Sequence, residues 1–272
     1  MSDPFNALTQ TRHGTFLYNK NDLYIGRSLQ LYGEVNEQEV QLLQMMSAPG
    51  NVILDIGANI GSHTVPLARH VGPTGTIFAF EPQRIVYQML CANIAINSLP
   101  NVEAHWAALG ETHGSVLIPD IDYSRPSNFG AVEVSKFATG RPVAQIVLDD
   151  FVGLPRVDLM KIDVEGMEER VLRGGTKFFG RFRPILYVEN DRVERSTGLI
   201  RFLWELRYRL FWHLPSFFNP NNFRANADNA FPHLIASNML CFPREIEIAV
   251  PSSQEITDPE DHPTKTLPQW KG

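Results

Sequence analysis

Two acidic residues, one at each end of a strand–helix–strand length of chain, set the chemistry this sequence suggests. The run Leu54-Asp55-Ile56-Gly57-Ala58-Asn59-Ile60-Gly61-Ser62-His63-Thr64 passes from an apolar strand pattern into a helical one. An open α/β sheet holds its ligand where such a strand turns into its helix. Gly57 and Gly61 permit a tight turn and a close approach of backbone to ligand. Asp55 orients the N–H groups of the turn or meets a cationic ligand group. The next apolar strand ends Phe80-Glu81-Pro82, and an acid there accepts hydrogen bonds from both hydroxyls of a ribose. Asp55 and Glu81 stand 26 positions apart, in register for one strand–helix–strand unit. The turn is not the G-x-G-x-x-G of a dinucleotide site, because Ala58-Asn59 follow Gly57, and the chain has no G-x-x-x-x-G-K-[ST] loop. An acid leading Gly-Ala-Asn-x-Gly suits a phosphate-free cofactor that joins an amino acid to a nucleoside. S-adenosylmethionine (SAM) meets that description better than a nicotinamide dinucleotide.

A second group of acids follows a later strand, Met160-Lys161-Ile162-Asp163-Val164-Glu165-Gly166. A parallel sheet puts Asp163 at its carboxyl edge, beside the first strand. Methyl transfer from a sulfonium is a direct displacement with a good leaving group, so the protein must align the acceptor and remove its proton. Where the acceptor must lose a proton, a positioned carboxylate or imidazole contributes ~10²–10⁴-fold. Asp163 is the first candidate for that base, or for orienting the acceptor, and Glu165 the second. Each has a structural alternative: Asp163 as a helix cap, Glu165 as a first-turn acid favoured by the helix dipole. The next strand ends Val188-Glu189-Asn190-Asp191, where Glu189 and Asn190 either hydrogen-bond an acceptor or are turn residues. His63, beside the cofactor turn, is a base or an ordinary polar residue of the first helical turn. No His or Cys grouping has metal-ligand spacing, so no metal is expected.

These residues need a sheet to bring them together, and the chain supplies its pattern. Apolar strand runs at 51–56, 76–80, 102–109, 158–162 and 184–188 alternate with helical patterns at 62–70, 83–97 and 166–173. A helix over 198–207 leads to strands at 208–214 and 237–242. Alternation of this kind predicts a parallel sheet covered on both faces. Residues 115–148, with turns at Ser124-Arg125-Pro126 and Gly140-Arg141-Pro142, read as a hairpin excursion. Ser127-Asn128-Phe129-Gly130 within it either closes over the cofactor or simply turns. Residues 215–232 read as a long loop, and 217–231 as a cover for the acceptor. The expected divisions are an N-terminal extension of short strands and turns (1–35), a catalytic domain (36–250) and a disordered tail (251–272).

Composition sets the limits. The 272 residues are 43% hydrophobic and 20% charged, as in ordinary soluble domains. With 24 Lys+Arg against 30 Asp+Glu the formal net charge is −6, which offers no broad basic field for nucleic acid. Two cysteines, Cys91 and Cys241, exclude a disulfide framework. No uncharged apolar stretch is long enough for a membrane span, and the start lacks a signal-peptide pattern. A reduced, cytoplasmic protein is the expectation.

The blocks 55–64, Phe80-Glu81-Pro82, Ala107-Ala108-Leu109-Gly110, 161–166 and Asn238-Met239-Leu240 occur in the order seen in FkbM-type SAM-dependent methyltransferases, which the chain resembles over about residues 30–245. The resemblance implies a Rossmann-like class I methyltransferase fold: a seven-stranded, mostly parallel sheet with helices on both faces and its last strand antiparallel. It implies O-methylation of a hydroxyl on a saccharide or natural product. Asp55, Gly57, Ala58, Asn59 and Gly61, with His63 and Thr64 after them, would surround the methionine part of SAM. Glu81 and Pro82 would hold the ribose, Trp106-Ala107-Ala108 would pass beside the adenine, and Asp163 would lie near the methyl group. Where the family often has an aromatic residue, this chain has Ser62-His63. The rival readings are an N-methyltransferase acting on an amine or protein side chain, and a nucleoside-binding module without chemistry. The first lacks the Asn/Asp-Pro-Pro-aromatic stretch after the fourth strand, where this chain has Asp163-Val164-Glu165-Gly166.

Overall fold

Runs of β-branched and aromatic residues with no polar alternation make strands that are buried on both faces. The computed structural model, which describes residues 4–133, 137–247 and 255–265, builds its main sheet from them. In chain order these are β3 (Val52–Ile56), β4 (Thr76–Phe80), β5 (Val102–His105), β9 (Leu159–Ile162), β10 (Ile185–Glu189), β11 (Tyr208–His213) and β12 (Asn238–Pro243). Across the sheet the order is β11-β12-β10-β9-β3-β4-β5. All neighbours pair in parallel except those of β12, which runs antiparallel to both β10 and β11. This is the sheet that the resemblance implies.

Alternate residues of each strand feed two cores. Leu54 and Ile56 pack with α5 (Glu168–Arg173), α6 (Thr176–Arg181) and α7 (Val193–Glu205) on one face. Ile53 packs on the other face with α1 (Ile25–Tyr32), α2 (Glu37–Met45), α3 (Thr64–Val71) and α4 (Arg84–Ile96). After β3 the chain winds first to β4 on one side and later to β9 on the other. The crevice of an open sheet opens at such a reversal, at the carboxyl ends of the strands. In register, Asp55 of β3 stands beside Lys161 of β9.

The structure departs from the sequence pattern in several places. The run 102–109 is not one strand. The chain turns at Trp106-Ala107, where Ala107 N–H bonds His105 O at 3.0 Å, and re-enters as β6 (Ala108–Leu109) of a separate sheet. There β6 pairs with β8 (Arg141–Ile146), whose antiparallel partner is β7 (Gly114–Ile118), so the hairpin excursion is three-stranded. The helix expected from Gly166 begins at Glu168, because Glu165 and Gly166 have φ of 55° and 87°, outside the right-handed helical region. The N-terminal stretch adds helix α1 to its hairpin of β1 (Asn6–Thr11) and β2 (Gly14–Asn19). Residues 255–265 of the expected disordered tail are packed: Ile256 joins the core at 5% exposure, and His262 Nε2 lies 2.7 Å from Asn190 O. Residues 251–254 and 266–272 fall outside the described residues.

The long loop before β12 is pinned to the N-terminal extension. The buried Glu34 carboxylate accepts from Arg12 Nε (2.8 Å), Asn219 Nδ2 (2.7 Å) and the backbone N–H of Phe223 (2.8 Å). Tyr32 donates its hydroxyl to Asp228 O at 2.9 Å and accepts from Ala230 N–H at 2.7 Å. Glu34→Ala strands these donors, so it is expected to lower unfolding stability by about 1–3 kcal/mol. Urea denaturation measures this, and a variant as stable as wild type would contradict the pinning.

Candidate functional site

The crevice has two connected parts. A narrow slot of about 500 Å³ is lined by Phe80, Pro82, Ala107, Ala108, Leu109 and Met167, an apolar set. A wider cleft of about 1550 Å³ carries Asn36, Asn59, Ser62, His63, Lys161, Glu189 and Asp191 among its lining. Gly57, Glu81, Gln83, Gly130, Asp163 and Glu165 border both.

The turn after β3 is shaped by close backbone approach. Gly57 has φ +81°, and a Cβ there would meet Asp163 O at 1.8 Å, so only glycine fits. Gly57 and Ala58 donate their N–H groups to Phe80 O, which ties the turn to the end of β4. Glu81 braces it from the side, accepting Asn59 N–H at 3.0 Å and Gln83 N–H at 2.8 Å. Gln83 Nε2 in turn donates to Phe129 O at 2.9 Å, which draws the 127–130 segment across the crevice. That segment lines the cleft through Asn128 and Gly130.

The expected contact residues divide. Gly57, Ala58, Asn59, His63, Glu81, Pro82, Ala107 and Asp163 all face the crevice. Asp55, Gly61 and Thr64 do not; they stand behind the turn as its support. Asp55 and Thr64 are fully buried, and Thr64 Oγ1 donates to Asp55 Oδ2 at 2.6 Å. Gly61 spends its N–H on Ala58 O, and a Cβ there would meet Leu90 of α4 at 2.9 Å. Trp106 is 39% exposed, which rules out a core role, and its Nε1 donates to Pro82 O.

The acids at the strand ends converge. Asp163, Glu165 and Glu189 each bring a carboxylate oxygen within 4.8 Å of the others. Neither structural alternative describes the first two: α5 has no side-chain cap, and Glu165 precedes that helix in a left-handed conformation. Glu165 instead pairs with Arg192 at 2.6 Å, and Asp191 pairs with the same guanidinium. Glu168 fixes this turn by accepting from the N–H groups of Val164 (3.2 Å) and Gly166 (2.9 Å). Asn190, expected near an acceptor, is buried and donates to Ser196 Oγ at 2.9 Å, so it is structural.

Sequence reasoning gave Lys161 no role, and it is the centre of the site. Its side chain is 3% exposed, with Nζ 3.0 Å from Asp163 Oδ2, 3.2 Å from Gly57 O and 3.6 Å from Asp55 Oδ1. The available signal was a lysine inside an otherwise apolar strand, a placement that demands partners. Burial opposes ionisation of Asp163, but the Lys161 ammonium outweighs it and holds the carboxyl below its ordinary value. The remaining acids outnumber their cations. Burial, then the charge of Asp163, pushes Glu165 up to about 8 despite Arg192. Burial likewise pushes Glu81 and Glu168 up to about 7. Glu189 is raised well above the carboxylate range by burial and by Asp163 and Glu165. It shares a hydrogen bond with Asp163, and its buried Oε2 has no partner among the described residues.

Raised acids bind more protons folded than unfolded, so stability must fall as pH climbs from their unfolded values to their folded ones. For Glu81, Glu165 and Glu168 that window is about pH 5 to 8. The lowered Asp163 acts in the opposite sense below pH 4, and the lowered His105, His213 and His262 do so up to their ordinary value of 6.5. Unfolding free energy of the ligand-free protein is therefore expected to drop between about pH 6.5 and 8 by about 1.4 kcal/mol per pH unit for each proton linked. A flat or rising profile in chemical denaturation would contradict these assignments.

Residues 55–210, more than half of the chain, match the family model described as the methyltransferase FkbM domain. "Methyltransferase 1" of Beauveria bassiana is 31% identical over 144 residues, covering 45% of this chain and 57% of that protein. "Methyltransferase sdnD" of Sordaria araneosa is 31% identical over 154 residues, covering 45% and 59%. The chain thus spans under two thirds of the length of these curated relatives. Among solved structures, a methyltransferase FkbM from Methylobacillus flagellatus aligns with a TM-score of 0.48 at 16% identity, over 73% of this chain and 45% of that one. TYW2 of M. jannaschii, solved with AdoMet, gives 0.46 at 14%, over 89% and 86%. With more than half its length matched to that domain, around a crevice lined by its glycine turn and Glu81, the chain belongs to the FkbM family of SAM-dependent methyltransferases.

Proposed function

We propose that this protein transfers the methyl group of SAM to a hydroxyl of a small, hydroxyl-rich acceptor, a saccharide or glycosylated metabolite. The crevice fits the cofactor. The apolar slot of Ala107, Ala108, Leu109 and Met167 takes a flat purine, and Glu81 at its border has a lone pair left on each oxygen for a ribose. Asn59 and Asp163 in the wider cleft suit an amino acid moiety with a sulfonium. When bound, SAM supplies a methyl carbon with a neutral thioether as leaving group.

The observation that carries the acceptor class is the carboxylate group itself. Asp163, held ionised by Lys161, accepts a hydrogen bond from an acceptor hydroxyl and turns its oxygen toward the methyl carbon. Glu189 gives its one proton to the Asp163 carboxylate and so steadies it, and Glu165 with Arg192 holds a neighbouring sugar oxygen. Asn36, Ser62 and Ser237 add polar contacts around the cleft, and Tyr24 and Phe217 give it aromatic walls on which a sugar ring can stack.

Calorimetric titration with SAM, S-adenosylhomocysteine and NAD, followed by labelled-methyl transfer to p-nitrophenyl glycosides, tests the reading. The first two ligands should bind and NAD should not, and the label should appear as an O-methyl ether. Glu81→Ala should weaken SAM at least tenfold. Asp163→Asn should lower kcat on the order of 10²-fold, the cost of a misplaced acceptor hydroxyl. Label on nitrogen or on protein would contradict the acceptor class, and no SAM binding by folded protein would contradict the cofactor.

A further inference from the structure

A buried acid and an imidazole meet in the cleft wall. Glu39 of α2 is 3% exposed, and its Oε1 accepts from Asn238 Nδ2 at 3.2 Å. Its Oε2 lies 3.2 Å from Nε2 of His63, itself 5% exposed and part of the cleft lining. Nε2 is buried and makes this ion-pair contact without hydrogen-bond geometry in the ligand-free protein, so the nitrogen that keeps access to the cleft is Nδ1. The pair has neighbours of both signs. Lys161 is close enough to feel Glu39, and Asp163 close enough to feel His63. A carboxylate behind an imidazole whose far nitrogen faces a reaction space is the arrangement by which a base is oriented and its charged form stabilised.

We propose that His63, positioned by Glu39, is the group that takes the acceptor's proton, with Asp163 orienting the hydroxyl. This rests on the methyl-transfer reading and divides its labour. Asp163 shares its charge with Lys161 and has little affinity for a proton, which suits it to hold a hydroxyl rather than to deprotonate it. In the step, the acceptor oxygen bonds to the methyl carbon of SAM as the carbon–sulfur bond breaks, its electron pair staying on sulfur. The hydroxyl proton passes to Nδ1 of His63. The imidazolium so formed faces the Glu39 carboxylate and later releases its proton to solvent.

The direct test is ¹⁵N spectroscopy of the full chain labelled at histidine, with S-adenosylhomocysteine bound, His63 being identified by the signal lost in His63→Ala. The expected neutral ring carries its proton on Nε2 and leaves Nδ1 bare. A proton on Nδ1 overturns the proposal, whatever the acceptor. In transfer to p-nitrophenyl glycosides, His63→Ala should lose on the order of 10²–10⁴-fold in kcat, keep its SAM affinity within threefold, and regain turnover with added imidazole. Glu39→Leu should lower kcat with little change in the acceptor KM. Wild-type turnover in His63→Ala overturns the proposal. Should the wild type bind SAM yet methylate none of these glycosides, the acceptor class is what fails, and the ring-nitrogen measurement decides the role of His63 alone.

Discussion

One ammonium group has to serve two carboxylates and a backbone carbonyl in the middle of the sheet. Lys161 reaches Asp163, Asp55 and Gly57 O from a strand whose other side chains are apolar. Burying such a charge is tolerable only with partners on every side. That demand fixes the relative height of β3 and β9, the path of the glycine turn, and the direction of Asp163. The cofactor turn and the acid at the strand end are therefore parts of one electrostatic unit.

The same constraint explains the rest of the site's charge. Among the described residues, Lys161 and Arg192 are the cations paired with the strand-end acids Asp163, Glu165 and Asp191, and Glu189 adds a further carboxyl. With too few cations in a poorly solvated place, some of these acids keep their protons. A crevice in this state is prepared for a positively charged ligand, since its arrival lets the acids ionise. The surrounding walls come from distant parts of the chain. Glu34 and Tyr32 bind the loop before β12 to the N-terminal extension, and Gln83 holds the 127–130 segment across the opening.

Much of this was legible in the sequence because strand patterns and strand-end positions are local. The runs that form β3, β4, β9 and β10, and with them the placing of Gly57, Glu81, Asp163 and Glu189, follow from apolar periodicity and a parallel sheet. What stayed hidden depends on contacts between distant segments. Asp55 reads as a ligand contact until Thr64 and Lys161 are seen to enclose it. Glu165 reads as a helix-dipole acid until its left-handed backbone turns it toward Arg192. Glu39, more than a hundred residues before Asn238, gives no sign in the sequence that it faces His63. The 255–265 segment is poor in apolar residues, yet Ile256 and His262 dock it together with the pairing of Glu255 to Phe211 and Arg209.

A surplus of partly protonated acids awaits a cationic methyl donor. Calorimetric titration of SAM at pH 7, in buffers of different ionisation enthalpy, measures the protons exchanged on binding. Net proton release is expected with SAM, and less with S-adenosylhomocysteine, which lacks the sulfonium charge. SAM binding with no proton release, or with uptake, would contradict it.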